Sequence, residues 1–373
     1  MEERGLFISE YLEEDLNVSE LCRRYGVSRK AGYKWIARYE AEGFAGLGDR
    51  SHAAHAQPNR MSAAVEKRIL EARIAHPSWG PKKLKAYLED RRGGRWPAAS
   101  TIGEAIARAG LTAPRKLRRR VPASAPFSAC AFANDVWTVD FKGWFRTRDG
   151  ARCDPLTLAD AHTRFVLRCQ AVDRPDGDCV WPLIEAAFRE YGLPLAMRSD
   201  NGPPFASVAA GGLSRLSVKL IKAGVAPERI EPGKPQQNGR HERFHLTLKR
   251  ETASPPAANR RAQQRAFDAF LRVYNEERPH EALGQTPPAR HYAPSARVYT
   301  GRLKEPDYPG GLDTRRVRTN GEIKWRGGLV FLSTALAGEP GGLEERDDGA
   351  VAVRYGPIPL GVIDRSGRLA RRA

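Results

Sequence analysis

Three acidic residues stand out by their surroundings. Asp140 sits between apolar neighbours in WTVDFKG, where a buried unpaired charge costs several kcal/mol, so a cation or a basic partner is required to offset it. Asp200 falls where LAMRS gives way to the Asn201-Gly202-Pro203-Pro204 turn, and strand ends of this kind are where open α/β sheets place ligands. A plain Asp-initiated turn explains Asp200 equally well by itself. In NGRHERFHLTLKRE, Asn238 and Gly239 open a helix. Its Glu242 and Lys249 lie two turns apart and share one exposed stripe with His245, while Phe244 and Leu248 take the buried side. The pair is too far apart to explain itself by mutual attraction. A metal ligand and a phosphate contact are one reading, and a solvated helix face is the other.

The elements that must position these acids follow from periodicity. VWTVDFKGWF alternates, with Val136, Thr138 and Asp140 on one side and Trp137, Val139 and Phe141 on the other. DPLTLADA and RFVLRCQAV read as further strands joined by a tight turn near His162 and Thr163. CVWPLIEAAFREYG is an amphipathic helix with Val180, Ile184, Ala187, Phe188 and Tyr191 on one face and Gly192 as its stop. LAMRS then delivers Asp200, and the order of strands and helices is that of an α/β domain.

Ahead of this core the chain is helical. In VSELCRRYGVSRKAGYKWIARYEAEG, Val18, Leu21, Cys22 and Tyr25 keep helical spacing, Gly26 breaks the helix and Val27 plugs the turn. Ser28 can cap a second helix that turns Trp35, Ile36 and Tyr39 inward and presents Arg29, Lys30, Tyr33 and Lys34 outward. This is the layout of a helix-turn-helix; a small helical hairpin with a solvated basic face is the alternative. A second unit over 60–112 places Val65, Ile69 and Ala72 on one stripe, starts a helix near Pro81, and sets Ser100 before a helix that Gly110 ends. A second helix-turn-helix or a winged helix fits it. Residues 113–134 hold Arg115, Lys116, Arg118, Arg119 and Arg120 among Pro, Ala and Ser, and read as a linker that can lie on phosphate or as a solvated tether. Beyond Tyr274 the chain is loop-like. From about 312 it closes in short strands, with Asn320-Gly321 suiting a hairpin turn.

Composition narrows the partner. The chain has 373 residues, 62 Lys and Arg against 44 Asp and Glu, and a formal charge of +18, a surplus that favours a polyanion. No apolar run of spanning length occurs and the acidic start lacks a secretion-signal layout, so nucleic acid is preferred over membrane and the expected location is cytoplasmic. The five cysteines have no C-x₂-C spacing, and are expected to be reduced thiols, neither zinc ligands nor disulfides.

Taken together, WTVD, RSDNGPPF and GKPQQNGRHERFHLTLK resemble the catalytic core of retroviral integrases and of the DDE transposases of bacterial insertion sequences. YNEERPHEALGQTPPARHY is similar to the tail of that core, and LCRRYGVSRKAGYKWIARY to the family's leading helix-turn-helix. The resemblance covers most of the first 295 residues. It implies a multidomain chain: N-terminal all-α helix-turn-helix modules over 1–50 and 60–112, and a basic linker over 113–134. A central α/β ribonuclease H-like core with a mixed sheet follows over 135–295, then a small β-barrel-like domain over 310–373. It further implies that the strand bearing Asp140 lies beside the one bearing Asp200, and that Asp140, Asp200 and Glu242 are the catalytic, metal-binding carboxylates. They would hold two Mg²⁺ ions, with Mn²⁺ able to substitute, and Lys249 would be a DNA contact.

The expected activity is metal-dependent cleavage and strand transfer at the ends of a mobile element. The partners are double-stranded DNA (terminal inverted repeats and target) and further copies of the chain, in a bacterial, nucleoid-associated setting. Arg29, Lys30, Tyr33, Lys34 and the linker basics Arg115, Lys116, Arg118, Arg119 and Arg120 are the other expected DNA contacts, made mostly to phosphate. Two departures stand out. The interval from Asp200 to Glu242 is long for the family, with SVAAGGLSRLSVKLIKAGVAPERI carrying the excess and Gly211-Gly212 marking a loop insertion. The His/Cys zinc module of retroviral integrases is absent. A DNA-binding regulator without enzymatic activity, and a nuclease of the same fold that cuts without joining, are the competing readings.

Overall fold

The computed structural model describes residues 2–13, 17–50, 61–112, 130–207, 209–230, 239–308, 310, 312–364 and 366–370. The basic positions Arg115, Lys116, Arg118, Arg119 and Arg120 lie outside them, as does the 231–238 segment ahead of Glu242. The chain divides into two compact units, Met1–Ser62 and Ala63–Ala373.

The first unit is three helices, α1 (Glu2–Glu13), α2 (Val18–Arg24) and α3 (Arg29–Glu42). Asn17 caps α2 by accepting from Ser19 N, and Ser28 caps α3 by accepting from Ala31 N, so each start is dictated by a short polar side chain satisfying orphan N–H groups. Between them Gly26 takes a left-handed φ of 64°, which ends α2 as the sequence requires. Phe7, Ile8, Leu21, Cys22, Ile36 and Leu47 form the core, with Trp35 and Tyr39 packed against it. Gly32 sits where α3 crosses this core: a Cβ there would lie 2.5 Å from Cys22 Sγ.

The second unit begins with α4 (Ala63–Ala75), α5 (Pro81–Arg92) and α6 (Ala99–Arg108). Pro81 occupies the first turn of α5 and Gly110 turns the chain at φ 68° after α6. The cap expected at Ser100 is displaced: α6 starts at Ala99 behind Ala98, and Ser100 is inside the helix. Among the described residues this segment contains three helices and no strand. It docks on the next domain. Trp79 is fully buried, Lys83 Nζ donates to Pro279 O, and Arg91 pairs with Glu277 at 2.9 Å.

The central sheet joins β1 (Val136–Phe141), β2 (Phe145–Arg146), β3 (Arg152–Asp160), β4 (Val166–Val172), β5 (Ala196–Ser199) and β6 (Ala226–Arg229). Its order is β2-β3-β1-β5-β6, with β4 on the far side of β3. β3 runs antiparallel to β1 and β4, while β1, β5 and β6 are parallel, the mixed sheet expected. Alternation sorts the two faces. Trp137, Val139, Leu156 and Leu158 pack on α7 (Gly177–Tyr191) and α8 (Arg215–Lys222). Cys153, Ala159 and Cys169 face α9 (Gly239–Thr252) and α10 (Arg260–Glu276) through Phe244, Leu248, Phe267 and Phe270. None of the five cysteines is in a disulfide.

The stretch after Asp200 is more than a loop. It contains α8 and β6, and Gly211-Gly212 forms a tight left-handed turn, φ 62° and 64°, on which Leu360 and Ile358 of the C-terminal domain rest. That domain is a five-stranded antiparallel sheet, β13-β12-β11-β10-β7, with a separate hairpin β8–β9. The strands are β7 (Asp313–Arg316), β8 (Glu322–Trp325), β9 (Gly328–Phe331), β10 (Pro340–Glu345), β11 (Val351–Tyr355), β12 (Ile358–Ile363) and β13 (Leu369–Ala370). The hairpin expected at Asn320-Gly321 is corrected here. β7 pairs with β10, and β8 turns into β9 through Arg326 and Gly327, at φ 46° and 82°, which are the two left-handed positions a two-residue hairpin needs.

Candidate active site

Strand register places the first two acids. β1 and β5 pair in parallel as Val136 with Ala196, Trp137 with Met197 and Thr138 with Arg198. Continuing that register brings Asp140 level with Asp200, at the carboxyl ends of neighbouring strands and on the face that carries α9. Both are partly exposed. Asp200 Oδ1 accepts from Gly202 N at 3.1 Å, so the Asx turn read from the sequence is present and orients the carboxylate.

The third acid arrives on α9, which is seated on the same face by histidines. His241 is buried one residue before Glu242. Its Nδ1 lies 2.9 Å from Thr138 Oγ1 and its Nε2 2.5 Å from Thr157 Oγ1. His245 Nε2 meets the same Thr157 hydroxyl at 2.7 Å. Thr157 is paired across the sheet with Asp140 and donates to the Asp140 carbonyl at 3.1 Å. With that proton committed, both imidazoles donate through Nε2–H to Thr157, while the single Thr138 hydroxyl proton is shared between the Ala159 carbonyl at 3.2 Å and His241 Nδ1. Both rings are neutral. Burial pushes His241 down to about 3 and His245 down to about 2, the latter helped by its neighbours His241 and Lys142. His245 therefore does not share the exposed stripe of Glu242 and Lys249. It turns to the sheet because a ring one helical turn from His241 covers the same hydroxyl. Glu242 and Lys249 are exposed, and Phe244 and Leu248 are buried.

Residues 132–235 match an integrase core domain model and 223–288 match a second integrase core model. Residues 3–55 match a helix-turn-helix domain and 31–106 a homeodomain-like domain. The chain is 28% identical over 296 residues to an uncharacterized 39.2 kDa protein of insertion element IS476 from Xanthomonas euvesicatoria, covering 77% of this chain and 81% of that protein. It is 27% identical over 287 residues to an uncharacterized 31.7 kDa protein of insertion element IS407 from Burkholderia multivorans, covering 76% and 93%. The chain carries an integrase core domain behind helix-turn-helix domains and is similar to insertion-element proteins. Among solved structures, the chain is similar to the HTLV-2 integrase catalytic core in complex with magnesium, at 15% identity and a TM-score of 0.34 over 43% of this chain and 99% of that one. The BIV integrase catalytic core is similar at 20% identity and a TM-score of 0.33, over 43% and 93%.

Among the described residues, no three His, Cys, Asp or Glu side chains are gathered as a metal-holding group. The donor set nonetheless suits a hard cation: three carboxylates, two of them level on adjacent strand ends, and no thiolate or charged imidazole among them. The histidines at 241 and 245 and the threonines at 138 and 157 are the residues sequence reasoning passed over. The histidines' spacing of four puts both on one side of α9, but only the fold shows that this side is buried and needs polar partners beneath. Arg29, Lys30, Tyr33 and Lys34 are all exposed on α3 of the first unit, as expected. Among the described residues no helix is long and apolar enough to cross a membrane.

Proposed function

We propose that this chain is a transposase that binds the ends of its mobile element and cuts and rejoins DNA strands with Asp140, Asp200 and Glu242 as the metal-holding carboxylates. The observation that carries the reading is the common level of Asp140 and Asp200 at adjacent parallel strand ends, with the Glu242 helix seated through His241 against Thr138 and Thr157, which neighbour Asp140 along and across the sheet. Divalent cations, Mg²⁺ or Mn²⁺, would supply activation of the attacking oxygen and stabilisation of the leaving one. The chain's own part is positional. The sheet holds Asp140 and Asp200, the neutral His–Thr layer fixes the pitch of α9 without adding positive charge beside the carboxylates, and exposed Lys249 offers a point charge to a phosphate. The exposed basic face of α3, together with the linker basics, supports binding to terminal repeats of double-stranded DNA, chiefly through phosphate, by several copies of the chain.

The test is Asp140→Asn in the full chain with Mg²⁺. Strand cleavage and strand transfer are expected to vanish while binding to the element's end persists. Retained cleavage would remove Asp140 from the metal set, and cleavage without strand transfer in the unaltered protein would favour a nuclease.

A further inference from the structure

Four residues beyond Asp140 the chain exposes a tryptophan on a short, braced hairpin. Trp144 is 55% exposed, thrown outward by Gly143 at φ 87°. The hairpin behind it does not depend on Trp144 for its shape. Phe145 and Arg146 pair with Cys153 and Arg152, and Thr147 accepts from Gly150 N and donates to Asp149. Arg148 N and Asp149 N donate to Ala257 O and Ala258 O, each at 3.0 Å, which ties the tip to the connection between α9 and α10. Burying the ring would have been the ordinary use of so large an apolar surface.

Cations surround it. The guanidinium carbons of Arg146 and Arg152 lie 5.8 and 5.3 Å from the Trp144 ring centroid, and Lys142 Nζ lies 5.4 Å from that of Phe145. An exposed indole flanked by guanidinium groups matches what a single nucleic-acid strand offers: a flat base and the phosphate attached to it.

We propose that Trp144 is a stacking platform for an unpaired base of the DNA strand at the active site, with Arg146 and Arg152 beside the base and its phosphate. The proposal rests on the DNA-processing reading above, but its test does not require catalysis. A duplex keeps its bases stacked on one another, so the platform selects for a strand that is frayed, overhanging or opened near the cut.

The experiment compares the full-length protein with its Trp144→Ala and Trp144→Phe variants, with metal chelated. Fluorescence anisotropy reads binding to oligothymidylate and to an abasic strand of equal length. Trp144→Ala should weaken oligothymidylate binding by about 5- to 150-fold, the range of one base–aromatic stack, and leave the abasic strand unaffected. Trp144→Phe should restore most of the loss. An equal loss on both strands would mean that the tryptophan only supports the local fold or charge, and no loss on either would mean that it touches no base; each result overturns the proposal. Because no cleavage is measured, failure here leaves the Asp140→Asn test standing, and the reverse also holds.

Discussion

Arg278 offers the sharpest check on how α9 is held. Its guanidinium is 2.7 Å from Glu251 Oε1 and lies 5.8 Å from each of the ring centroids of Trp79 and Tyr274. Ser78, from the turn between α4 and α5, donates to the same Glu251 carboxylate. Glu251 is in the last turn of the helix whose first turn carries Glu242. The leading helical segment, the core tail and α9 thus meet at one carboxylate. Removing one partner of a buried ion pair costs about 3–5 kcal/mol, because the other is left charged and unmatched. Glu251 keeps 23% side-chain exposure against 10% for Arg278, so water returns part of that and roughly 2–3 kcal/mol is the expected loss for Arg278→Met. Denaturant unfolding measures it, and amide exchange across 239–252 should quicken in parallel. Adding Glu251→Leu to Arg278→Met should restore part of the stability, since an apolar pair leaves no orphaned charge. Wild-type stability in the single variant would refute the clamp, and so would a double variant weaker than the sum of the two singles.

Two further outcomes follow from local geometry. Gly192 ends α7 at φ 77°, and a Cβ there would lie 2.6 Å from Ser295 O and 3.0 Å from Arg297 O. Gly192→Ala should therefore destabilise by about 2–4 kcal/mol, combining left-handed strain with a backbone clash, as read by thermal or denaturant melting. His280 is pushed down to about 3 by burial and then by Lys83, Arg278 and Arg164, whereas an unfolded histidine titrates near 6.5. Its folded value being the lower, the unfolded chain takes up the extra proton, and this stability is present above about 6.5 and lost as the pH falls from there toward 3. One unit below 6.5 the loss is about 1.4 kcal/mol. Stability measured between pH 7 and 5 should fall less steeply in His280→Gln, and an unchanged slope would contradict the assignment.

The contrast between what was legible in the sequence and what was not has physical causes. The β1 alternation announced its faces because one side had to be apolar and the other carried Asp140. The same logic identified α7, its Gly192 stop and the Ser28 cap of α3, all of which are local signals. Pairing across distance was not encoded locally. Nothing in RRVRTNGEIKW distinguishes a turn that closes a hairpin from one that sends β7 away to β10, and the decisive left-handed pair fell on Arg326-Gly327. The three acids were singled out by type and context, but the layer beneath them was not. A histidine on a helix reads as exposed until its strand partner is known, and Thr157 lies far from His241 in the chain. Gly211-Gly212 looked like slack because glycines mark turns, and only the fold reveals what leans on them.

That leaning surface has a consequence for how such proteins can be recombined. α8 gives Leu216 and Leu220 to the catalytic core and Val218 to the C-terminal sheet, and Lys222 pairs with Glu339 at 2.7 Å. One short helix is therefore common property of two folding cores. A domain swap cut at the apparent linker near residue 300 would graft a new sheet onto a seat shaped for another. The transplantable piece is the C-terminal sheet together with 209–222, so inheritance of the two halves is coupled although a long stretch of chain lies between them.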